Sequence, residues 1–168
     1  MSQFQDIELQ NFDIVIKADG RWFHEGGEIK RLGLVKLFAS VLSCDDEGRY
    51  WLTTPVERGQ ITVDDAPFVI QSLRCVGKGR AQQIFLRDNL DVEYLLSAKT
   101  PLVLRASSRG YAKPYLRLEK GLSALIKHAV FYEMADIALA DGDADGAQSL
   151  LWSDGVSFAL ELNDEADA

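Results

Sequence analysis

The sequence feature that most constrains the fold is a pattern that occurs twice along the chain. Gly33-Leu34 and Gly121-Leu122 each follow a predicted β-hairpin, and each opens a segment whose apolar residues recur at helical spacing. Aligning the two glycines places apolar residues opposite one another: Leu34 and Leu122, Leu37 and Leu125, Phe38 and Ile126, and Val41 and Ala129. Because one such unit cannot cover both faces of its own sheet, we predict a duplicated hairpin–helix–strand unit whose two copies associate.

Strand signals account for most of the remaining sequence. Residues 12–17 and 21–24 predict a first hairpin around the turn-forming Asp19-Gly20, and residues 102–106 and 113–118 predict a second. The fold class predicted is therefore α+β with a mainly antiparallel sheet. We place an N-terminal domain over residues 10–60 and a β-rich C-terminal domain over residues 61–162.

The two predicted helices differ in character. The first, over residues 30–43, is amphipathic, whereas the second, over residues 120–139, is longer and apolar nearly all round. A helix of the second kind is expected between layers of structure, where Glu133 would be a carboxylate in apolar surroundings.

The charge balance limits the classes of partner. The 168-residue chain has 26 acidic and 18 basic residues, and its net charge of −8 disfavours binding to a phosphate backbone. It has no run of about 20 apolar residues that would span a membrane, and its first residues do not resemble a signal peptide. Cys44 and Cys75 stand alone in the sequence. These features predict a reduced cytoplasmic protein that binds neither nucleic acid nor membrane.

Three local patterns resemble known sites but lack residues that those sites need. Residues 141–146 open like a calcium-binding EF-hand loop, but the twelfth position holds Trp152 instead of a glutamate. The glycine-rich residues 77–80 match neither phosphate-binding fingerprint. His24 and His128 are far apart and belong to no metal-binding spacing. We therefore predict no metal site and no cofactor.

Several short stretches occur in an order that is specific to one family. They are residues 19–26, 34–42, 50–57 (with Thr54-Pro55-Val56-Glu57), 63–68, Pro114-Tyr115, 121–126 and Phe131-Tyr132-Glu133. In this order, over roughly residues 13–158, they resemble a bacterial family of uncharacterised proteins, Domain of Unknown Function family 1285.

The resemblance implies a fold and a place for a ligand, but no reaction. It implies two related α+β domains, of which the C-terminal one is superficially like a pleckstrin-homology domain, a strand-rich sheet closed by a long helix. It also implies a pocket at the domain interface for a nucleotide-like ligand, and a role in signalling. A fold likeness to pleckstrin-homology domains does not bring phosphoinositide binding with it.

We therefore predict a non-enzymatic ligand-binding module with its pocket between the two units. Different side chains would contact different parts of the ligand. Trp22 and Tyr115 would stack on the face of a base, and the phosphate oxygens would bind to Arg31, Lys36 and Lys113. A sugar or base edge would bind to Glu57, Asp65 and Glu133, and His24 is also predicted to belong to the site.

Two alternatives stay open. The first is a small hydrolase or nucleotide-cleaving enzyme that uses Asp65, Glu57 or His24 as acid or base. The second is a protein-interaction module that pairs through an exposed strand edge. The sequence itself does not decide whether the chain is an enzyme, or which oligomer it forms.

Overall fold

The computed structural model of the chain describes residues 9–140 and 149–161, and these divide into two compact units. The N-terminal unit runs to Pro67 and also includes Glu119–Leu122, and the C-terminal unit holds the remaining residues. The predicted division between residues 60 and 61 falls inside a strand of the N-terminal unit. Residues 141–146, which open like an EF-hand loop in the sequence, lie outside the described residues.

The N-terminal unit is built on a six-stranded sheet. Its elements are β1 (Leu9–Ile16), β2 (Trp22–His24), β3 (Gly27–Glu28), α1 (Leu32–Ser40), β4 (Leu42–Cys44), β5 (Tyr50–Thr53) and β6 (Arg58–Val63). The strand order is β3-β2-β1-β6-β5-β4, with β1 and β6 parallel and the other neighbours antiparallel. Its buried core includes Ile14, Ile16, Trp22, Leu42, Leu52 and Ile61.

The C-terminal unit contains a second six-stranded sheet, one helix and a hairpin. Its elements are β7 (Phe68–Val76), β8 (Gln83–Asp88), β9 (Glu93–Leu95), β10 (Leu102–Ala106), β11 (Ala112–Arg117), β12 (Ser123–Ile126), α2 (His128–Ala140), β13 (Leu150–Ser153) and β14 (Val156–Ala159). The sheet order is β10-β11-β12-β7-β8-β9, and β13 pairs with β14 alone. The predicted α+β class is confirmed.

The two six-stranded sheets have the same topology. In each, three consecutive strands form one antiparallel meander and the next three form another, and the first and last strands pair in parallel at the centre. The helices occupy different places: α1 joins the two meanders of the first sheet, whereas α2 follows the last strand of the second. The repeat therefore lies in the sheets.

The alignment of Gly33 with Gly121 is wrong, because Gly33 lies in an α-helix whereas Gly121 ends a 3-10 turn of three residues. Ser123–Ile126 form strand β12, and the second helix begins at His128 instead of residue 120. Strand β12 lies between β11 and β7 and is buried on both faces, so its sequence is a continuous apolar run that periodicity does not separate from a buried helix.

Gly121 is a glycine for a reason other than helix initiation. Its φ of 74° lies in the left-handed region, as does the φ of 60° at Lys120, so no α-helix passes through this segment. A Cβ at position 121 would lie 2.5 Å from the carbonyl oxygen of Cys44. Glu133 also departs from expectation, since it is exposed on α2 and not set in apolar surroundings.

Hydrogen bonds attach the terminal hairpin to the sheet of the C-terminal unit. The fully buried Ser153 hydroxyl donates to the carbonyl of Leu96 at 2.6 Å and accepts from the amide of Ile84 at 2.9 Å. The side-chain amide of Gln82 donates to the carbonyl of Trp152 at 2.9 Å. These bonds satisfy polar groups that burial would otherwise leave without partners.

Candidate functional site

A cavity of about 450 Å³ lies within the N-terminal unit. Residues 11–14 of β1 form one wall, and four further parts of the same unit complete it: the β2–β3 turn with His24 and Glu25, the end of α1 with Phe38 and Val41, Leu52 on β5, and the following turn with Thr54 and Glu57. Most of these elements are neighbours in one sheet, so a single folded unit positions the whole lining.

A bulge in β1 explains why four consecutive residues reach the cavity. In a regular strand successive side chains point to opposite faces, so alternate residues would line it. The pairing of β1 with β6 shifts between Asn11 and Val15, where β1 has two more residues than its partner. Such a bulge re-aims side chains, and here it brings Asn11, Phe12, Asp13 and Ile14 together at the wall.

The β2–β3 turn holds His24 and Glu25 at the edge of the cavity. Glu25 and Gly26 have φ values of 50° and 82°, the backbone of a type I′ hairpin turn. The amide of Glu25 donates to the carbonyl of Asp13 in the bulge at 3.0 Å. The Nε2 atom of His24 lies 3.9 Å from Oε1 of Glu25. A non-glycine residue in the left-handed region carries a conformational cost, and this one lines a cavity.

The turn between β5 and β6 fixes Thr54 and Glu57. The Oγ1 atom of Thr54 accepts hydrogen bonds from the amides of Glu57 at 3.0 Å and Val56 at 3.4 Å. The amide of Thr54 donates to the carbonyl of Glu57 at 2.8 Å. This closed loop is a serine/threonine turn. It sets the direction in which the exposed Glu57 leaves the backbone.

The apolar wall is supported from within the core. Phe38 lines the cavity and stacks on the buried Trp22, with ring centres 6.2 Å apart and planes 21° from parallel. Offset stacking of this kind adds to the stabilisation from burial. Trp22 therefore positions the wall, and its own ring is enclosed by the core.

The lining combines apolar side chains with carboxylates. Phe12, Ile14, Phe38, Val41 and Leu52 form its apolar part, and Asp13, Glu25 and Glu57 its acidic part. Among the described residues that line the cavity, none is a lysine or an arginine. Such a site favours a ligand with an apolar body and a cationic or hydrogen-bond-donating head.

The structure brings together two of the predicted site residues, His24 and Glu57. Other predicted residues of the N-terminal unit lie outside the lining: Arg31 and Lys36 are exposed at α1, and Asp65 is half-buried in the turn after β6.

Three further predicted site residues belong to the C-terminal unit: Lys113, Tyr115 and Glu133. There the Lys113 ammonium and the Arg105 guanidinium lie 5.8 and 4.6 Å from the centre of the buried Tyr115 ring. Ligand-binding roles for these residues stay predictions.

The described residues contain no group of three or more His, Cys, Asp or Glu side chains that could hold a metal ion. Over the same residues, no helix combines the length and the apolar character needed to cross a membrane.

Comparison with known proteins relates the chain to one family over almost its whole length. Family models match residues 2–66 as the N-terminal domain, and residues 67–160 as the C-terminal domain, of the domain of unknown function DUF1285. A crystal structure of a DUF1285 family protein from Silicibacter pomeroyi DSS-3 is similar, with a TM-score of 0.83 and 31% identity over 97% of this chain and 87% of that chain.

A second solved structure is a DUF1285 family protein from Shewanella baltica OS155. Its TM-score is 0.61 and its identity 26%, over 77% of this chain and 96% of that one. No curated protein matches the sequence.

Proposed function

The chain belongs to the DUF1285 family, and on that premise we propose that it is a ligand-binding module whose cavity in the N-terminal unit receives a small molecule. The observation that carries the proposal is the cavity itself, at about 450 Å³ with an apolar wall and an acidic rim. Ligand pockets span roughly 300–1,000 Å³ and combine apolar lining with a few polar groups that fix orientation.

The charge of the lining decides which part of a ligand fits. A phosphate placed about 4 Å from one of the three carboxylates would be repelled by about 4 kcal/mol at the effective dielectric constant near a protein surface. An amine, or the donor edge of a nucleobase, would instead form charge-assisted hydrogen bonds with Asp13, Glu25 or Glu57. A nucleotide-like ligand therefore fits by its base, with any phosphate outside the cavity.

A role in signalling belongs to the same proposal. A protein that senses a small molecule has to bind and release it, and the cavity offers an apolar wall and polar groups that would hold such a molecule. The enzymatic alternative has one specific observation in its favour: His24 and Glu57 line the same cavity, where they could act as acid and base on a bound molecule.

The test is a thermal-shift screen with matched pairs of compounds. Each pair shares one apolar or aromatic body and differs in the head group, as adenosine and adenosine monophosphate do, or an aromatic amine and the corresponding carboxylate. A ligand that binds only the folded chain stabilises it by ~2.7 kcal/mol at a concentration of about 100 times Kd. We expect amines and nucleosides to stabilise the chain more than their anionic counterparts.

Two variants separate this cavity from other binding surfaces. Glu57→Gln should reduce the stabilisation by the best ligand, because it removes one carboxylate of the lining. Asp46→Asn, at an exposed carboxylate of the β4–β5 turn, is the matched control and should leave it unchanged. Stabilisation that is the same in Glu57→Gln, or found for anionic compounds alone, would overturn the proposal. Conversion of the bound compound, lost in Glu57→Gln, would favour the enzyme.

A further inference from the structure

Helix α1 exposes most of its apolar side chains. Of its nine residues only Val35 is buried, while Leu32, Leu34 and Leu37 are exposed, the last at 62%. Leu34 and Leu37 are three residues apart and therefore adjacent on the helix surface. A helix this short gains its stability from packing, so an outward-facing set of leucines indicates a surface that another structure covers.

Gly33 lies on the same outward face of α1 and has no side chain that would keep a partner away from the helix backbone. A Cβ built on Gly33 meets no atom within 4 Å, so no neighbour requires a glycine there. Gly33 is the second residue of α1, and a glycine there restrains the helix backbone less than an alanine would. The residue instead leaves the α1 backbone open to close approach from outside, as glycines do where helices pack tightly.

The polar residues around this face are cationic. Lys30, Arg31 and Lys36 are exposed at or beside α1, and the helix itself contains no acidic residue. Within the described part of the chain, none of the three forms an ion pair. In a chain with a net charge of −8, a local group of uncompensated cations beside leucines is selective for an acidic, apolar partner.

Helix α2 presents the complementary surface. Tyr132 and Leu139 are 65% and 64% exposed and lie seven residues apart on one face. Glu133 and Asp136 are exposed beside them, three residues apart. Across the described residues these two carboxylates also lack ion-pair partners. The outward face of α2 is thus apolar on one side and acidic on the other.

We propose that α1 of one copy of the chain packs against α2 of a second copy, with leucines against Tyr132 and Leu139, and Lys36 and its neighbours against Glu133 and Asp136. An anionic membrane would also meet leucines and cations, but it would pair only with α1, whereas a second copy of the chain matches the cationic face of α1 with the acidic and apolar face of α2. Two copies that each carry a net charge of −8 repel at long range, but charges more than about 8 Å apart are largely screened at physiological salt, so the facing charges of α1 and α2 dominate at contact.

The expected association is weak to moderate. A contact between two short helices is smaller than the roughly 1,200–2,000 Å² that stable interfaces bury. Self-association should therefore be concentration-dependent in the range of about 1–100 μM, and weaker in high salt because charged groups contribute. Analytical ultracentrifugation over that range measures it on the full chain. A chain that stays monomeric over this whole concentration range overturns the proposal. If such a monomeric chain also binds anionic vesicles, the face of α1 is a membrane-binding surface instead.

Mixing two variants identifies the surfaces that meet. Leu37→Asn on α1 and Leu139→Asn on α2 should each weaken association at least about tenfold, since each removes a central apolar contact. An equimolar mixture of the two should associate better than either variant alone. In the mixture, the unaltered α2 of the Leu37→Asn chain can pack against the unaltered α1 of the Leu139→Asn chain. Val92→Asn, at an exposed valine of the C-terminal unit, is the control and should leave association unchanged. Wild-type association in both leucine variants, or no recovery on mixing, overturns the pairing.

Two further sets of variants test the pairing independently: charge reversal at Lys36 and Glu133, and substitution of Gly33. Lys36→Glu and Glu133→Lys should each weaken association, and the double variant should recover it, which a merely structural role would not produce. Gly33→Ala should raise the melting temperature of the chain while lowering its association constant, because a methyl group stabilises the helix but occupies the point of close approach. Unchanged association in Gly33→Ala together with failure of the charge swap to recover overturns the proposal.

Discussion

The ring of Phe12 lies directly on the backbone of Gly59, so that a Cβ at position 59 would overlap the ring. Phe12 belongs to the bulge of β1, and Gly59 to the strand that pairs with β1. The absence of a side chain on β6 therefore makes room for one wall of the cavity. Gly59 therefore helps to set the shape of the cavity, although it is not one of the residues that line it.

Gly59→Ala should displace Phe12 and destabilise the N-terminal unit by about 1–3 kcal/mol, the usual cost of overpacking. Because the cavity is the open space beside the ring, ligand binding should weaken as well. Urea denaturation measures the first effect and thermal shift the second. Gly27→Ala is the matched control, since a Cβ there would meet only the carbonyl of His24 at an ordinary 3.6 Å.

A double variant checks the cause. Phe12→Leu combined with Gly59→Ala should lose less stability than the two single changes added together, since the smaller side chain relieves the overlap. Strictly additive losses would show that the contact between the ring and the backbone is not what Gly59 provides.

Glu25 in the β2–β3 turn should be replaceable with a gain in stability. Its φ of 50° costs a residue with a Cβ about 1 kcal/mol, whereas asparagine tolerates that backbone. Glu25→Asn should therefore raise the free energy of unfolding by about 0.5–1 kcal/mol and, on the proposed function, weaken the binding of a cationic ligand. Chemical denaturation and thermal shift measure the two effects. A loss of stability in this variant would contradict the explanation.

Ser153 is expected to be a major attachment of the terminal hairpin. Ser153→Ala removes both the acceptor of the Ile84 amide and the donor to the Leu96 carbonyl, in a fully buried position. We expect a loss of about 2–3 kcal/mol, because two buried backbone groups lose partners. Ser157→Ala, on the exposed face of β14, should change stability little. Equal effects in both variants would show that the hydrogen bonds of Ser153 are dispensable.

The sequence predicted those elements whose signal is local. The first hairpin was found because Asp19-Gly20 marks its turn, and α1 because its leucines recur at helical spacing. Strand β12 was mistaken for helix because burial on both faces removes the alternation that marks a strand. The cavity depends on a register shift between β1 and β6, which are far apart in sequence. Two of its residues, His24 and Glu57, were nevertheless among the predicted site residues.

Asp45 makes the stability of the N-terminal unit sensitive to acid. The Trp51 indole N–H donates to Oδ2 at 2.9 Å and the Arg49 amide to Oδ1 at 2.9 Å, and these bonds hold the pKa of Asp45 well below its ordinary value of 3.8. A carboxyl whose pKa is lower in the folded state stabilises the fold above its unfolded pKa. That stabilisation is lost progressively as the pH falls below about 4 toward the folded value.

Asp45→Asn should lower stability at neutral pH and flatten the dependence of unfolding free energy on pH in the acid range. Urea denaturation at a series of pH values from about 5 to about 2 measures the slope, which reports the difference in bound protons between the unfolded and folded states. Asp46→Asn, the exposed neighbour, is the control and should keep the wild-type slope. Because the depressed pKa comes from hydrogen bonds made only in the folded turn, Trp51→Phe should reduce the slope in part. An unchanged slope in Asp45→Asn would mean that other carboxylates govern acid unfolding.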